Sequence, residues 1–306
     1  MTDDNRAERP PRQHCIVAGA EPVKLGSMLF TLVEPHRGHE VAYNRWYERD
    51  HFYAGCMIGP YQFAGKRFVA TARLKKLREP DPSPITGSPE IGSYLGLYWV
   101  LDGYHDTWNR WAVDQVKALH KAGRMFAERD HIHTLLYRYA WERARDDDGG
   151  DGRDGLDGLD GLDGGDGLDG PGCLPSELAL DHPSAGLVAV FTDRAEDVGP
   201  DAFDAWQRDE HLPSLLPGTA ARLVVAADPL PLLVDAPGDV PRSEADDRRQ
   251  LTLWFLDDDP EEAWAVIAEH RQRLEDAGQA TVVAALPFVS TVPGTDTYTD
   301  ELWVDG

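Results

Sequence analysis

The sequence predicts an α+β fold: two tandem βαββαβ ferredoxin-like repeats whose sheets pack face to face as an α+β barrel. Three observations carry this. The order of elements is the same in both halves of the 306-residue chain, and a Gly/Asp-rich stretch separates them. A shift of 156 residues superposes Leu95 on Leu251, Leu97 on Leu253, Asp102 on Asp258, Trp108 on Trp264 and Ala112 on Ala268. A βαββαβ unit makes a four-stranded antiparallel sheet with both helices on one face. Its other face is apolar and needs a cover, which a second copy in the same chain can supply.

In the first half, "SMLFTLVE" has the β-branched and apolar content of a strand, and Glu40 to Asp50 has helical spacing. "KRFVATARL" and "YLGLYWVLD" are the second and third strands, residues 107–122 a helix closed by Gly123, and "HIHTLLYRYAW" the last strand. The second half repeats this with "GLVAVFTD", a helix over 200–210, "ARLVVAAD", "QLTLWFLDD", a helix over 260–277 closed by Gly278, and "ATVVAALPFV". Between them, residues 146–172 hold ten Asp and one Arg, with Asp at every third position from 151 to 169. Glycine entropy, charge repulsion and the lack of apolar surface leave such a segment without fixed structure. The expected organisation is a flexible arm over 1–25, a first repeat over 26–142, a disordered linker over 143–184, a second repeat over 185–290 and a tail over 291–306.

Composition narrows the function. With 42% hydrophobic residues the chain can bury a sizeable core, and a net charge of -24 argues against nucleic acid or anionic membranes as partners. Cys15, Cys56 and Cys173 are widely spaced and form no C-x-x-C, which suits a reducing compartment, the cytoplasm. No signal peptide and no apolar run of membrane-spanning length is visible. Nucleophile-elbow, Walker and Rossmann motifs are absent.

One motif occurs twice. "YNRWYERDHFYAG" (Tyr43 to Gly55) returns as "FDAWQRDEHLPSL" (Phe203 to Leu215): an aromatic residue, a Trp three later and a His five after that. On an α-helix Asn44, Tyr47 or Glu48, and His51 share one face, while Tyr43 and Trp46 dock the helix on its sheet. This W-x-x-x-x-H helix end, above all "AWQRDEHLPSLLPG", resembles the EthD-like branch of the dimeric α+β barrel superfamily. The resemblance spans roughly residues 25–142 and 185–290 and implies a His near the barrel pocket. The superfamily it points to includes isomerases, cyclases, cofactor-free monooxygenases and haem-degrading enzymes, so it implies architecture more than activity.

The last strand of the first half adds chemistry. Alternation sends His131, His133, Leu135, Tyr137 and Tyr139 to one face, expected to be the barrel interior. A pocket there would be lined by Tyr94, Tyr98, His131, His133 and Tyr137. The corresponding strand of the second half has no ionisable residue, so that half reads as scaffold. Imidazoles beside Tyr hydroxyls can move protons at neutral pH without a cofactor. The expected function is therefore a cofactor-independent lyase, isomerase or cyclase acting on a small apolar carbonyl or aromatic compound. His51, His133 and His131 would transfer protons, with Tyr47, Tyr98 and Asn44 as hydrogen-bonding partners. Tyr94, Tyr98, Tyr137, Trp46 and His211 would contact substrate, and Arg67, from the basic run "GKRFVATARLKKLR", would attract an anionic group. The alternatives are a binding protein for a hydrophobic metabolite and a haem- or oxygen-dependent monooxygenase. No cofactor is expected, with a metal chelated by His131 and His133, or haem on one axial His, as rivals. The expected partner is a small-molecule substrate, and free sheet edges would let a second chain pair as a homodimer.

Overall fold

The computed structural model describes residues 23–146, 174–236, 238 and 247–304. Most of the expected N-terminal arm, the Asp repeat of the linker, Cys15 and Cys173 lie outside the described residues. The first repeat runs β1 (Leu25–Pro35), α1 (Glu40–Trp46) continuing as a π-helix (Tyr47–Met57), β2 (Gln62–Val69), the short α2 (Ala72–Lys75), β3 (Tyr94–Leu101), α3 (His105–Lys121) and β4 (Arg129–Ala144). The second runs β5 (Gly186–Arg194), α4 (Pro200–Trp206) continuing as a π-helix (Gln207–His211), α5 (Leu212–Leu215), β6 (Ala221–Leu230), β7 (Arg249–Leu256), α6 (Trp264–Asp276) and β8 (Ala280–Ser290). Both repeats are βαββαβ units, and Gly123 and Gly278 end α3 and α6 in the left-handed region, at φ +67° and +64°.

Each repeat forms an antiparallel sheet, in the orders β4-β1-β3-β2 and β8-β5-β7-β6. The sheets share one core and also join at their edges into a closed eight-stranded barrel. β4 pairs with β6 from Leu136↔Leu230 to Ala144↔Leu223, whereas the opposite seam holds only Phe68↔Ser290 and Val69↔Val289. Closure uses up the edges expected to receive a second chain, because the other repeat already occupies them.

The barrel interior is filled by Phe30, Leu95, Leu97, Trp99 and Leu135 from the first repeat and Phe191, Leu251, Leu253, Phe255 and Phe288 from the second. Burying each such side chain contributes about 1.5–3 kcal/mol. Part of the expected linker belongs to this core. Leu174 packs against it and Ala179 and Leu180 are buried in it. The Trp99 indole N–H donates to the Ser176 carbonyl (2.9 Å), and the Leu25 N–H to the Glu177 carboxylate (3.0 Å). "LPSELAL", which follows the Asp repeat, thus packs its apolar side chains into the barrel core.

The faces of the first sheet differ from the expectation. β3 sends Leu95, Leu97 and Trp99 inward, and Tyr94 and Tyr98 outward beneath the helices. On β4 the register shifts between Leu32↔His133 and Val33↔His131, a β-bulge at residue 132. The bulge splits the two histidines: His133 enters the barrel core and His131 lies on the helix side.

Candidate active site

Between the outer face of the first sheet and its helices lies a cavity of about 110 Å³. Leu29, Val33 and Leu136 of the sheet form its floor, and Trp108, Ala112, Val113 and Val116 of α3 form one wall. Leu232 and Ala236, from the segment after β6, close it, so the second repeat contributes directly to the lining. Asp235 holds that segment to α3 through Arg110 (2.9 Å) and Lys117 (2.7 Å). The polar lining is Tyr47, His51 and Cys56 from the π-helix, Asn109 from α3, and Thr31, Arg129, His131 and Thr134 from the strands.

The π-helix places His51. Five residues of α-helix make about 1.4 turns, which would put Trp46 and His51 on different faces. In a π-helix, bonded i to i+5, they stand one turn apart. The two rings stack, with centroids 4.5 Å and planes 18° apart, and the Tyr47 ring meets His51 edge-on at 5.2 Å. Of the face expected to join Asn44, Tyr47 and His51, the structure brings Tyr47 and His51 together but turns Asn44 to Arg67 and Thr295. Gly55 supports the other side of the imidazole: a Cβ there would lie 2.6 Å from Cε1 and 2.7 Å from Nδ1. Among the described residues His51 Nδ1 is buried without a hydrogen-bond partner. Burial, then the charge of Arg129, pushes its pKa down to about 3, so the ring is neutral at physiological pH.

A hydrogen-bonded chain crosses the sheet side of the cavity. The Arg129 guanidinium meets His131 Nε2 (3.2 Å), His131 Nδ1 meets Thr134 Oγ1 (2.9 Å), and Thr134 Oγ1 meets Thr31 Oγ1 (2.9 Å). Arginine can only donate, so His131 Nε2 accepts and Nδ1–H donates to Thr134. Thr134 then donates to Thr31, and the chain ends in the Thr31 hydroxyl. Its source of positive potential is Arg129, which also lies over the Trp46 ring at 5.3 Å.

The other predicted residues fall into separate groups. Tyr47 and Tyr98 share a 2.6 Å hydrogen bond between hydroxyls, and burial pushes both pKa values well above the usual range. Only Tyr47 reaches the cavity. Asn44, Arg67 and Tyr94 form a buried cluster behind it: Arg67 donates to Asn44 Oδ1 (2.9 Å), pairs with Glu48 (3.4 Å), and lies over the rings of Tyr47 (4.5 Å) and Tyr94 (5.2 Å). Arg67 is only 6% exposed, so it offers no cation to a passing anion. Most of the basic run is also engaged within the chain, Lys66 on the His182 carbonyl, while Lys76 is exposed. Arg73 pairs with Asp259 and Glu261, Lys75 bonds Ser93, and Arg78 caps the carbonyls of Pro89, Ile91 and Gly92.

His133 and Tyr137 bond to each other (2.7 Å) inside the barrel, edge-on to Phe30 and Phe191, and do not reach the cavity. Trp46 lies behind His51, its indole N–H on the Arg124 carbonyl (2.8 Å). His211 repeats the stack on Trp206 at 4.7 Å, but its Nε2 is bonded to His270 Nδ1 at 2.8 Å, both buried. The same motif thus yields a satisfied His in the second repeat and a His with an unpartnered Nδ1 in the first. Thr31, Thr134, Arg129, Cys56 and Asn109 were not singled out by sequence. The signal available for the threonines was two hydroxyls amid otherwise apolar helix-facing strand positions.

No three His, Cys, Asp or Glu side chains gather as metal ligands among the described residues. No helix among them is long and apolar enough to cross a membrane. No family model matches the sequence, and no curated protein is significantly similar to it. Solved structures of similar chain course include an anthrone oxidase-like protein (10% identity, 90% of this chain and 98% of that one, TM-score 0.48). A chlorite dismutase from Candidatus Nitrospira defluvii is 11% identical over 90% of this chain and 94% of its own, with a TM-score of 0.43. A haem-binding protein from Thermus thermophilus is 10% identical over 92% and 96%, with a TM-score of 0.40. Likeness at this level is one of chain course and assigns no activity.

Proposed function

We propose that the cavity binds a small one-ring carbonyl or phenolic compound and removes a proton from it, as the first step of a cofactor-independent isomerase, lyase or cyclase reaction. His51 is the base, and the chain ending at Thr31 stabilises the oxyanion. The observation that carries this reading is a neutral imidazole with a buried, unpartnered Nδ1 on the wall of the same cavity as a hydroxyl chain backed by Arg129. At about 110 Å³ the cavity is below the size of drug-sized pockets and nearer the engineered cavity of about 150 Å³ that takes up benzene.

The α-proton of a ketone passes to His51 Nδ1, and the electron pair moves onto the carbonyl oxygen, where a Thr hydroxyl donates to it. Return of the proton to another carbon gives an isomer. The low pKa of His51 keeps the ring unprotonated at neutral pH. It reflects burial and nearby cations, and an enolate forming in the same cavity reverses that field, so basicity rises as charge develops. The EthD-like affinity belongs to the same proposal.

An oxidase-like protein and a haem-binding protein are among the similar solved structures. A porphyrin does not fit this cavity. It needs a far larger slot than about 110 Å³, and both His131 nitrogens are already engaged. A cofactor-free oxygenation would begin with the same deprotonation, with dioxygen as co-substrate accepting electrons from the carbanion.

Deuterium exchange tests the shared step directly. Cyclohexanone and cyclohexenone incubated in D₂O should lose α-protons faster with the protein, and His51→Ala should lower that rate roughly 100-fold. Exchange at the buffer rate, or equal rates for both proteins, would remove His51 from the mechanism. Oxygen uptake in the same samples separates oxygenation from isomerisation.

A further inference from the structure

We infer that residues 291–303, which the second repeat carries beyond β8, are a strap that fixes the geometry of the first repeat's site, with Asn44 as the positioning residue through which it acts. The inference rests on the reading that the cavity is the working site.

The strap crosses the site helix and is anchored beyond it. The Thr291 N–H donates to the Arg67 carbonyl (3.1 Å) and the Gly294 N–H to Glu48 Oε2 (3.0 Å). Asn44 Nδ2 donates to the Thr295 carbonyl (2.9 Å), and Arg45 pairs with Asp296. At the far end the Ala72 N–H donates to the Glu301 carbonyl (2.7 Å), Lys75 Nζ to the Leu302 carbonyl (3.0 Å), and the Trp303 indole N–H to Glu34 Oε1 (2.8 Å). Leu302 is fully buried and Arg37 lies over the Trp303 ring at 4.9 Å. Five of these contacts use strap backbone, so their position follows from where the anchors hold the chain.

Arg67 is where the strap meets the site. Its guanidinium covers the Tyr47 ring, which lines the cavity, and among the described residues Nη2 has no hydrogen-bond partner. Its side chain is therefore placed by Nη1, through Asn44 and Glu48. Both of those residues lean on the strap: Glu48 takes the Gly294 N–H and Asn44 gives a proton to Thr295. The orientation of the Asn44 amide is unique, because arginine only donates and a carbonyl only accepts. An Asn44 cut off from the strap frees Arg67, and a freed Arg67 leaves the Tyr47 ring without its cover. On this account the second repeat serves the first by delivering the strap, which would explain why its own motif needs no open site.

Two measurements on the full chain test this, with phenol as the probe. In Trp303→Ala, and in the surface variant Asp296→Ala, amides of residues 40–57 should exchange hydrogen about tenfold faster while those of β7 and β8 keep their protection. Unchanged protection of 40–57 in both variants would overturn the inference. In a double-mutant cycle on phenol affinity, Trp303→Ala and Asn44→Ala should each weaken binding severalfold, and the double variant should bind no worse than Asn44→Ala alone. Losses that multiply would show that the strap does not act through Asn44. If the unaltered protein does not bind phenol, the cavity reading fails, and the exchange experiment alone decides whether the strap orders the helix.

Discussion

At the scale of single residues, the site depends on what stands against His51. The imidazole is held between the Trp46 ring and the backbone at Gly55, with no room for a Cβ. Gly55→Ala should therefore displace the ring or open the π-helix, costing about 1–3 kcal/mol, as overpacking does. Denaturant unfolding and the histidine NMR resonances would read both effects. A histidine pKa of about 3 also predicts an unusual profile. Exchange catalysed by neutral His51 should stay level from pH 8 down to about 5 and fall only as pH approaches 3. A break near 6.5 would mean that His51 is hydrated and ordinary. Cys56 lines the same cavity, yet burial pushes its thiol up to about 12, so it is neither nucleophile nor redox sensor. Peptide mapping after iodoacetamide treatment at pH 8 should find Cys56 unlabelled in the native protein and labelled after unfolding.

At the scale of elements, the duplication was legible because it leaves matched residues at a fixed offset, and Gly123 and Gly278 marked helix ends through the left-handed conformation that glycine permits. The direction of β3 was not legible. Alternation separates Tyr94 and Tyr98 from Leu95, Leu97 and Trp99, but both sets are apolar enough to be buried, so the pattern does not say which enters the barrel. The bulge at residue 132 and the π-helix were hidden for a related reason: each inserts a residue without changing the composition that periodicity reads. These two irregularities assemble the site, one turning His131 toward the helices and the other bringing His51 onto Trp46. The hydrogen-bonded chain from Arg129 to Thr31 is the element-level product. Thr134→Val should break it in the middle, leaving His131 Nδ1 without its acceptor, at a cost of about 1–3 kcal/mol. Ketone exchange should fall with it while Trp46–His51 stacking survives. Full activity in Thr134→Val would show that the chain does not stabilise the oxyanion.

At the scale of the whole molecule, the two repeats share an acid-sensitive design. Burial lowers His105 and His182 and depresses four further histidines more deeply: His51 to about 3, His133 and His211 to about 4, and His270 well below its usual value. These four lie in the cavity wall, the barrel core and the helix-sheet interface of the second repeat, so protonation is resisted throughout the structure. The unfolded chain takes up these protons near pH 6.5 and the folded chain does not. Their contribution to stability is complete above pH 6.5 and is lost as pH falls toward the folded values. Three groups oppose it: hydrogen bonds to Glu128 and Asp130 raise His36, and burial raises the carboxyls of Glu142 and Asp228, all of which favour the folded state as pH falls. Ordinary carboxylates of this acidic chain titrate lower still, so the interval from pH 6.5 to 5.5 belongs mainly to the histidines. Across it, unfolding free energy should drop by on the order of 3 kcal/mol, from several sites each contributing about 1.4 kcal/mol per pH unit. Urea titrations at pH 7.5, 6.5 and 5.5 measure this directly, and a constant m-value would confirm that the denatured ensemble is unchanged. A midpoint that stays level, or rises, between pH 6.5 and 5.5 would mean that these histidines meet water in the folded protein, and the neutral base assigned to His51 would fall with the prediction.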